Sequence, residues 1–390
     1  MGNASLVNAN AKAEEDRSTI SIPSRRASLV IDPVIKINID VLTEILLCLP
    51  VQSLLRFRAV SKSWGHIIDS QSFRTLHTRN NKSDDAVTLQ VYTTNFLQNI
   101  LSIKLQHNGK SLMSYEAESL TDSSLKLVGP VKGLICINPN KFWVPIAICN
   151  PFLGQLKLLP LTTPPTSKSC GICWREVAIG FDEDYKVVQL MSCPKHRHVL
   201  AQVYSRKTGS WRELARDDGG LLDNLHSFSP YPIKSWCKND HFAHWRVYRL
   251  KVGAGIVQEI LSLNMKNEVF HTIRLPADYT YYYDSIFADD EHSFRRFVLH
   301  SRSRLDLVGI YESRCEGSEL SWNHMMDVEV PFSNLDSEAL FWRSGCVFIK
   351  YWRSLFVYDY RAHKFICKHV PPLGLVGIIE YSGSFVSLEN

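Results

Sequence analysis

The sequence predicts an α+β multidomain chain: a small all-α module near the N-terminus, then a larger, predominantly β domain. Three observations carry this. Between residues 37 and 77, apolar side chains recur at three- and four-residue spacing with proline and serine between them, the pattern of short amphipathic helices. From about residue 88 that texture gives way to short β-branched and aromatic runs separated by polar turns. Within this second region a strand–turn–strand unit ending in Trp or Leu-Pro recurs at a spacing of about 50 residues.

The 390-residue chain carries 44 Lys and Arg against 39 Asp and Glu, a formal charge of +5, with 45% hydrophobic, 21% charged and 11% aromatic residues. These are globular values with ample material for a core. So dilute a charge, without a dense Lys/Arg block, asks for no nucleic-acid partner. No apolar run reaches the roughly 18 residues a membrane helix needs, and Met1–Ser5 opens no signal-peptide core. No membrane partner and a cytoplasmic or nuclear location are therefore expected. The ten cysteines suit a reducing compartment, since several (Cys136, Cys149, Cys346, Cys367) lie singly in apolar runs.

Residues 1–32, rich in Asn, Ala, Ser and Arg without periodicity, read as a disordered tail. Residues 33–79 read as three short helices. Asn38 or Asp40 can cap the first, whose apolar positions are Val41, Leu42, Ile45, Leu46 and Leu49. Pro50 ends it, because proline has no N–H and disfavours helix in the residue before it. Ser53 can cap a second helix with Leu54, Leu55 and Phe57. Ser61 can cap a third with Trp64, Ile67 and Ile68, and Phe73 and Leu76 follow. Such a module has a very small core, and without a disulfide or metal signal a partner is the economical source of stability.

The series Asp40-Val41-Leu42-Thr43-Glu44-Ile45-Leu46, Leu49-Pro50-Val51-Gln52-Ser53-Leu54-Leu55-Arg56-Phe57-Arg58 and Val60-Ser61-Lys62-Ser63-Trp64, trailed by Ser72-Phe73 and His77, closely resembles an F-box. The resemblance implies docking of a Skp-type adaptor through Ile37, Asn38, Leu42, Ile45, Leu49, Pro50, Val51, Leu54, Leu55, Val60 and Trp64, a few of which are expected to be core rather than interface. The chain departs from the family at its start, where the usual Leu-Pro is Ile37-Asn38. Proline there would pre-order the first turn, so Asn38 is expected to weaken docking.

Residues 88–390 read as the β domain, with strand-like runs at Val187–Leu190, Phe297–His300, Leu305–Ile310 and Val347–Ile349. Copies of the repeated unit lie at Asn99–Ile103, Ile148–Pro160, Val203–Arg212, Ile260–Pro276, Leu307–Trp322 and Leu355–Tyr360. About 300 residues at about 50 per unit gives six blades of a kelch-like propeller, four strands each, although the kelch Gly-Gly doublets are absent. Ser384–Leu388 is expected to close the ring by pairing with the first blade. Gly133-Leu134-Ile135-Cys136, Asn150-Pro151, Gly180-Phe181-Asp182, Val203-Tyr204-Ser205 and Phe270-His271-Thr272-Ile273-Arg274-Leu275-Pro276 resemble the plant F-box-associated domain and, within it, the S-locus F-box group.

Catalytic chemistry finds little purchase. Cys170 and Cys173, then Cys193 and His196 about 19 residues on, have the spacing of a tetrahedral zinc site. The alternative is loop thiols beside a hairpin turning at Asp182–Asp184. That is the reading adopted, with no metal and no cofactor expected. Gly253-x-Gly255 lacks a third glycine and a βαβ setting, so it reads as a hairpin turn. No nucleophile, phosphate-loop or metalloprotease motif is present.

The resemblance therefore implies a non-catalytic specificity subunit of an SCF-type cullin ubiquitin ligase. The F-box would dock the Skp adaptor, and through it a cullin and RING subunit, while the β domain captures a protein, a ribonuclease if the S-locus likeness is functional. The alternative is a propeller scaffold or carbohydrate- or ligand-binding module outside any ligase. Expected capture residues are Tyr279, Tyr281, Tyr282 and Tyr283, in a run too close to Pro276 and two aspartates for a comfortable strand; the alternative is that alternate tyrosines pack between blades. A second aromatic and basic patch is Trp236 with Trp245 and Arg246.

Overall fold

In the computed structural model, the described residues are 38–80 and 87–389, except 95–99, 108–109, 119–125, 140–143, 163–173, 194–197, 215–219, 223–224, 229–233, 236–240, 252, 254, 276–283, 289–292, 302–305, 317–318, 331–336, 344–345, 352–353, 360, 370–374 and 382. The expected tail thus lies outside them. Four helices come first, where the sequence suggested three: α1 (Ile39–Leu47), α2 (Val51–Val60), α3 (Lys62–Asp69) and α4 (Gln71–Asn80). The fourth arises because Ser70 both ends α3 and starts α4. Its hydroxyl donates to Ile67 O (2.7 Å) and accepts from Phe73 N (3.3 Å). Pro50, rather than Ser53, stands at the start of α2.

Among the described residues, the β domain consists of six four-stranded antiparallel units. The second to sixth are β4 to β7 (Lys126–Val131, Leu134–Asn138, Ala147–Asn150, Gln155–Leu158), β8 to β11 (Trp174–Phe181, Tyr185–Cys193, His198–Ser205, Ser210–Glu213), β12 with β14 to β16 (Leu225–Phe228, Phe242–Lys251, Gly255–Asn264, Phe270–Arg274), β17 to β20 (Asp284–Ala288, Phe294–Ser301, Asp306–Glu316, Glu319–Val330) and β21 to β24 (Ser337–Arg343, Cys346–Tyr351, Ser354–Asp359, Lys364–His369). A two-residue β13 (Lys234–Ser235) pairs with β17, and a single Arg274–Glu319 bridge joins the fourth and fifth units into one sheet. The first unit is made from both ends of the domain. β1 (Val87–Thr94), β2 (Ile100–His107) and β3 (Lys110–Glu118) take β25 (Leu375–Tyr381) as their remaining strand, Val87 facing Tyr381.

Each repeat copy read from the sequence falls on the third strand of a different unit: β2, β6, β10, β15, β19 and β23. The closing strand, however, is Leu375–Tyr381 and not Ser384–Leu388. First strands meet one another in the order β17, β21, β25, β4, β8 around the axis. Tight turns are built where the chain demands them: Lys132 (φ 45°) and Gly133 (φ 72°) both take the left-handed conformation that a two-residue hairpin between β4 and β5 needs.

Because each unit is covered on both faces by its neighbours, interior strands lose the alternation of a half-exposed sheet. β5 is buried at all five positions, and β14 at its first six. One core, for example, runs between the second and third units and contains Ile148, Ile179, Phe181, Tyr185 and Tyr204.

Candidate functional site

α1 carries two apolar rows at i, i+4 spacing. Leu42 and Leu46 turn inward, 9% and 1% exposed, whereas Val41 and Ile45 are 52% and 50% exposed, with Ile39 at 67%. Val60, at the end of α2, is 70% exposed. Apolar surface left in water favours a partner by about 25 cal/mol for each Å² covered. The outward row of α1 and, separately, Val60 are the candidate contact positions.

Between α2 and α3 lies a groove of about 390 Å³ lined by Leu55, Arg58, Ala59, Lys62, Gly65, His66 and Asp69. A Cβ at Gly65 would stand 3.3 Å from Arg58 O, a tight contact that shows how closely α2 and α3 approach. Asp69 pairs with Arg58 (2.9 Å) and Arg74 (2.7 Å), tying α2 and α4 to α3. Burial pushes its carboxyl up, but the two guanidinium hydrogen bonds outweigh that and hold it below the ordinary carboxylate range.

Several sequence-derived docking residues sit where a partner can reach them. Ile45 and Val60 are exposed, while Leu49, Pro50, Leu55 and Trp64 are half-buried, with Trp64 edge-on to Phe57 at 5.3 Å. Leu42, Val51 and Leu54 are corrections. They are core residues, packed with Leu46, Ile68 and Phe73, because so small a module has few side chains with which to fill its interior. Ile37 lies outside the described residues. Ile39 and Val41 were missed as surface residues, although the Val41–Ile45 spacing parallel to Leu42–Leu46 was a usable signal. Asn38 caps α1: its Oδ1 accepts from Asp40 N (2.9 Å) and its carbonyl from Leu42 N (2.9 Å). Asparagine thus satisfies a helix-start N–H with a side-chain oxygen that proline lacks.

The helices rest on one particular face of the propeller. Strand alternation places the turns at 132–133, 151–154, 182–184, 206–209 and 265–269 on the same side as the end of β25. Contacts agree with this. Tyr381 Oη donates to Gly133 O (2.9 Å) and Asn150 Oδ1 (3.1 Å), and its ring stacks on Phe152 at 5.2 Å. Further round, Lys186 Nζ donates to Met265 O (2.7 Å) and Glu268 (3.0 Å), and Glu268 also pairs with Arg212. Asp182 and Asp184 pair with Lys186 and Arg206, and Glu183 with Lys207, so the acidic tip is ion-paired. The helices meet this face through Leu153, Phe385 and His77, whose Nε2–H donates to Leu49 O (2.8 Å).

The predicted capture residues divide. Trp236, Tyr279, Tyr281, Tyr282 and Tyr283 lie outside the described residues. Trp245 and Arg246 are corrections: 5% and 4% exposed, they sit inside β14, Trp245 against Phe270 (6.5 Å) and Arg246 bonded to Gln258 (2.7 Å). The stretch of β14 that holds them, Phe242–Val247, is covered on both faces and has no outward side to offer. Of the zinc candidates, Cys193 ends β9 opposite His198, and Cys170, Cys173 and His196 lie outside the described residues. Among the described residues no group of three or more metal-ligating side chains comes together, and no helix is long and apolar enough to cross a membrane.

A family model described as the F-box domain matches residues 35–76, and one described as the F-box associated beta propeller domain matches residues 87–370. An F-box/kelch-repeat protein of Arabidopsis thaliana is 26% identical over 223 residues, covering 54% of this chain and 60% of that protein. An F-box protein of the same plant is 24% identical over 325 residues, covering 77% of each. The chain thus spans less than two thirds of the first of these relatives.

Proposed function

We propose that this chain, which belongs to the family of F-box proteins carrying an F-box-associated β-propeller, is the target-recruiting subunit of an SCF-type cullin ubiquitin ligase. The family is typically non-catalytic, and this reading needs no reaction in the chain itself. A target held by the propeller has its lysines at high effective concentration near the ubiquitin-loaded enzyme. The observation that supports the reading best is the outward row of α1, Val41 and Ile45 with Ile39, together with Val60. These apolar side chains lie outside a core that is already complete without them. They would pack on a Skp1-type adaptor, which would bring in cullin and RING subunits in the cytoplasm or nucleus.

The target would dock on the propeller face away from the helices. The end of β16 and the start of β17, between which the tyrosines at 279 and 281–283 fall in sequence, belong to that face by strand alternation. The likeness of the β domain to the S-locus group makes a ribonuclease the first target class to try.

The adaptor reading is tested with Ile45→Asp and Val60→Asp. Both positions are exposed, so the helical content and melting temperature should hold. Placing a charge in an apolar contact should weaken binding to a Skp1-type adaptor at least about tenfold, or roughly 1.4 kcal/mol. Unchanged affinity in both variants would remove the assignment.

A further inference from the structure

We propose that the C-terminal segment Gly383–Glu389 is a positioning strap that fixes the angle and distance of the F-box helices over the propeller. This rests on the ligase reading above, in which that geometry decides which lysines meet the ubiquitin-loaded enzyme.

Ser384–Leu388 has the apolar alternation of a strand, yet among the described residues it joins no sheet. Its backbone is held instead by side chains of the second unit. Asn150 Nδ2 donates to Ser384 O and Val386 O, both at 2.9 Å. Gln155 Oε1 accepts from Leu388 N (2.9 Å), and Gln155 Nε2 donates to Ser387 Oγ (3.2 Å). Beyond them Arg206, from the third unit, donates to Glu389 O (2.6 Å). The strap thus crosses from one unit to the next on the face that carries the helices.

Its apolar side chains then part between two cores. Leu388 is buried between the second and third units, with Val386 packed against the same cluster. Phe385 goes the other way, into the helical core with Leu42, Leu54 and Phe73, edge-on to His77 (5.4 Å) and under the Arg74 guanidinium (5.8 Å). One short stretch is therefore a structural member of both bodies. Gly383 marks how closely they approach: a Cβ there would lie 3.0 Å from Phe152 of the second unit and 3.2 Å from Val51 of α2. Losing the blade-side grip should leave both folds standing and free one to turn on the other.

The test uses the full chain bound to a Skp1-type adaptor, with distance probes at the exposed Ser63 and Thr208. The blade-side variant Gln155→Ala/Leu388→Ala touches no residue of the helical core. It should lose the single narrow distance of the native complex, while adaptor affinity stays within about twofold, as expected for sites remote from the contact. In a reconstituted ligase, ubiquitin should spread from a small set of the chain's own lysines to many. Gly383→Val, which wedges the bodies apart, should instead shift the mean distance. A narrow, unshifted distance in both variants, with adaptor bound, would overturn the strap. Failure of the native chain to bind the adaptor at all would overturn the ligase reading instead.

Discussion

The helical module buries six of its own apolar side chains and borrows a seventh, Phe385, from the far end of the chain. The cluster between the second and third propeller units buries thirteen, twelve of them from strands and turns of those two units. In the module, α1 must also expose Val41 and Ile45, because a four-helix cluster this small cannot cover every apolar row. A propeller unit has neighbours on both faces, so β5 and most of β14 vanish from solvent. The module therefore leaves an apolar row open at one surface and leans on the C-terminal segment at another. The propeller supplies its own cover by repetition.

The largest effect should come from deleting core volume on each side of that comparison. Leu54→Ala removes a fully buried side chain from the module and should cost about 2–5 kcal/mol. That is most of what so small a core can supply, so the helices should unfold and adaptor binding be lost while the propeller's thermal transition remains. Leu261→Ala, fully buried in the fourth unit, costs a similar amount. There it should lower the propeller's melting temperature without abolishing the fold. Calorimetry with helix-specific hydrogen exchange separates the two, and equal loss of both transitions in either variant would mean that module and propeller unfold as one unit.

A smaller effect is expected at the start of α1. Asn38→Ala deletes the cap to Asp40 N and should cost about 1 kcal/mol, read as faster exchange in the first turn of α1 and slightly weaker adaptor binding. Asn38→Pro should likewise weaken binding, since the capping oxygen is gone. Tighter binding would mean that pre-ordering of the turn outweighs the cap.

The smallest difference concerns acid. Glu268, between Lys186 and Arg212, is pushed up by burial but held below its ordinary 4.5 by those hydrogen bonds. Glu259, against Arg249 and Lys251, behaves likewise. Asp69 in the helical module sits below its ordinary 3.8. A carboxylate whose folded pKa is lowered contributes stability that is full above its ordinary value and lost as pH falls through the folded one. For these groups the decline should therefore begin near pH 4.5 in the propeller and nearer 3.8 in the helices. Glu268→Gln should flatten the propeller's decline in a pH series of melting temperatures.

Much of this architecture is legible in the sequence. The F-box series is local, and helix caps and proline act within a few residues, so the module's elements could be read directly. The α3–α4 boundary carries no such separate signal, because Ser70 alone ends one helix and starts the next. The repeat copies each marked a third strand, since that strand and the turn after it carry the most recurrent pattern. Which apolar residues are core and which are surface was harder to read. Leu42 and Val41 are adjacent and equally apolar, and only the position of α4 and Phe385 decides which of them turns inward. Trp245-Arg246 looks like a recognition patch in sequence because nothing local announces that a neighbouring unit covers it.

What the sequence determined by itself is the order of a helical module and six strand-rich units, because periodicity and turn chemistry are short-range properties of the chain. What only the tertiary structure decided is how the two ends of the chain are used. Leu375–Tyr381 and Ser384–Leu388 are both short apolar stretches with strand-like composition. The first met the unpaired edge of β1 and closed the ring. The second found its carbonyls and N–H groups taken by Asn150 and Gln155, side chains more than two hundred residues away. Backbone hydrogen bonds must be satisfied somewhere, and which partner satisfies them depends on three-dimensional proximity that no local pattern encodes.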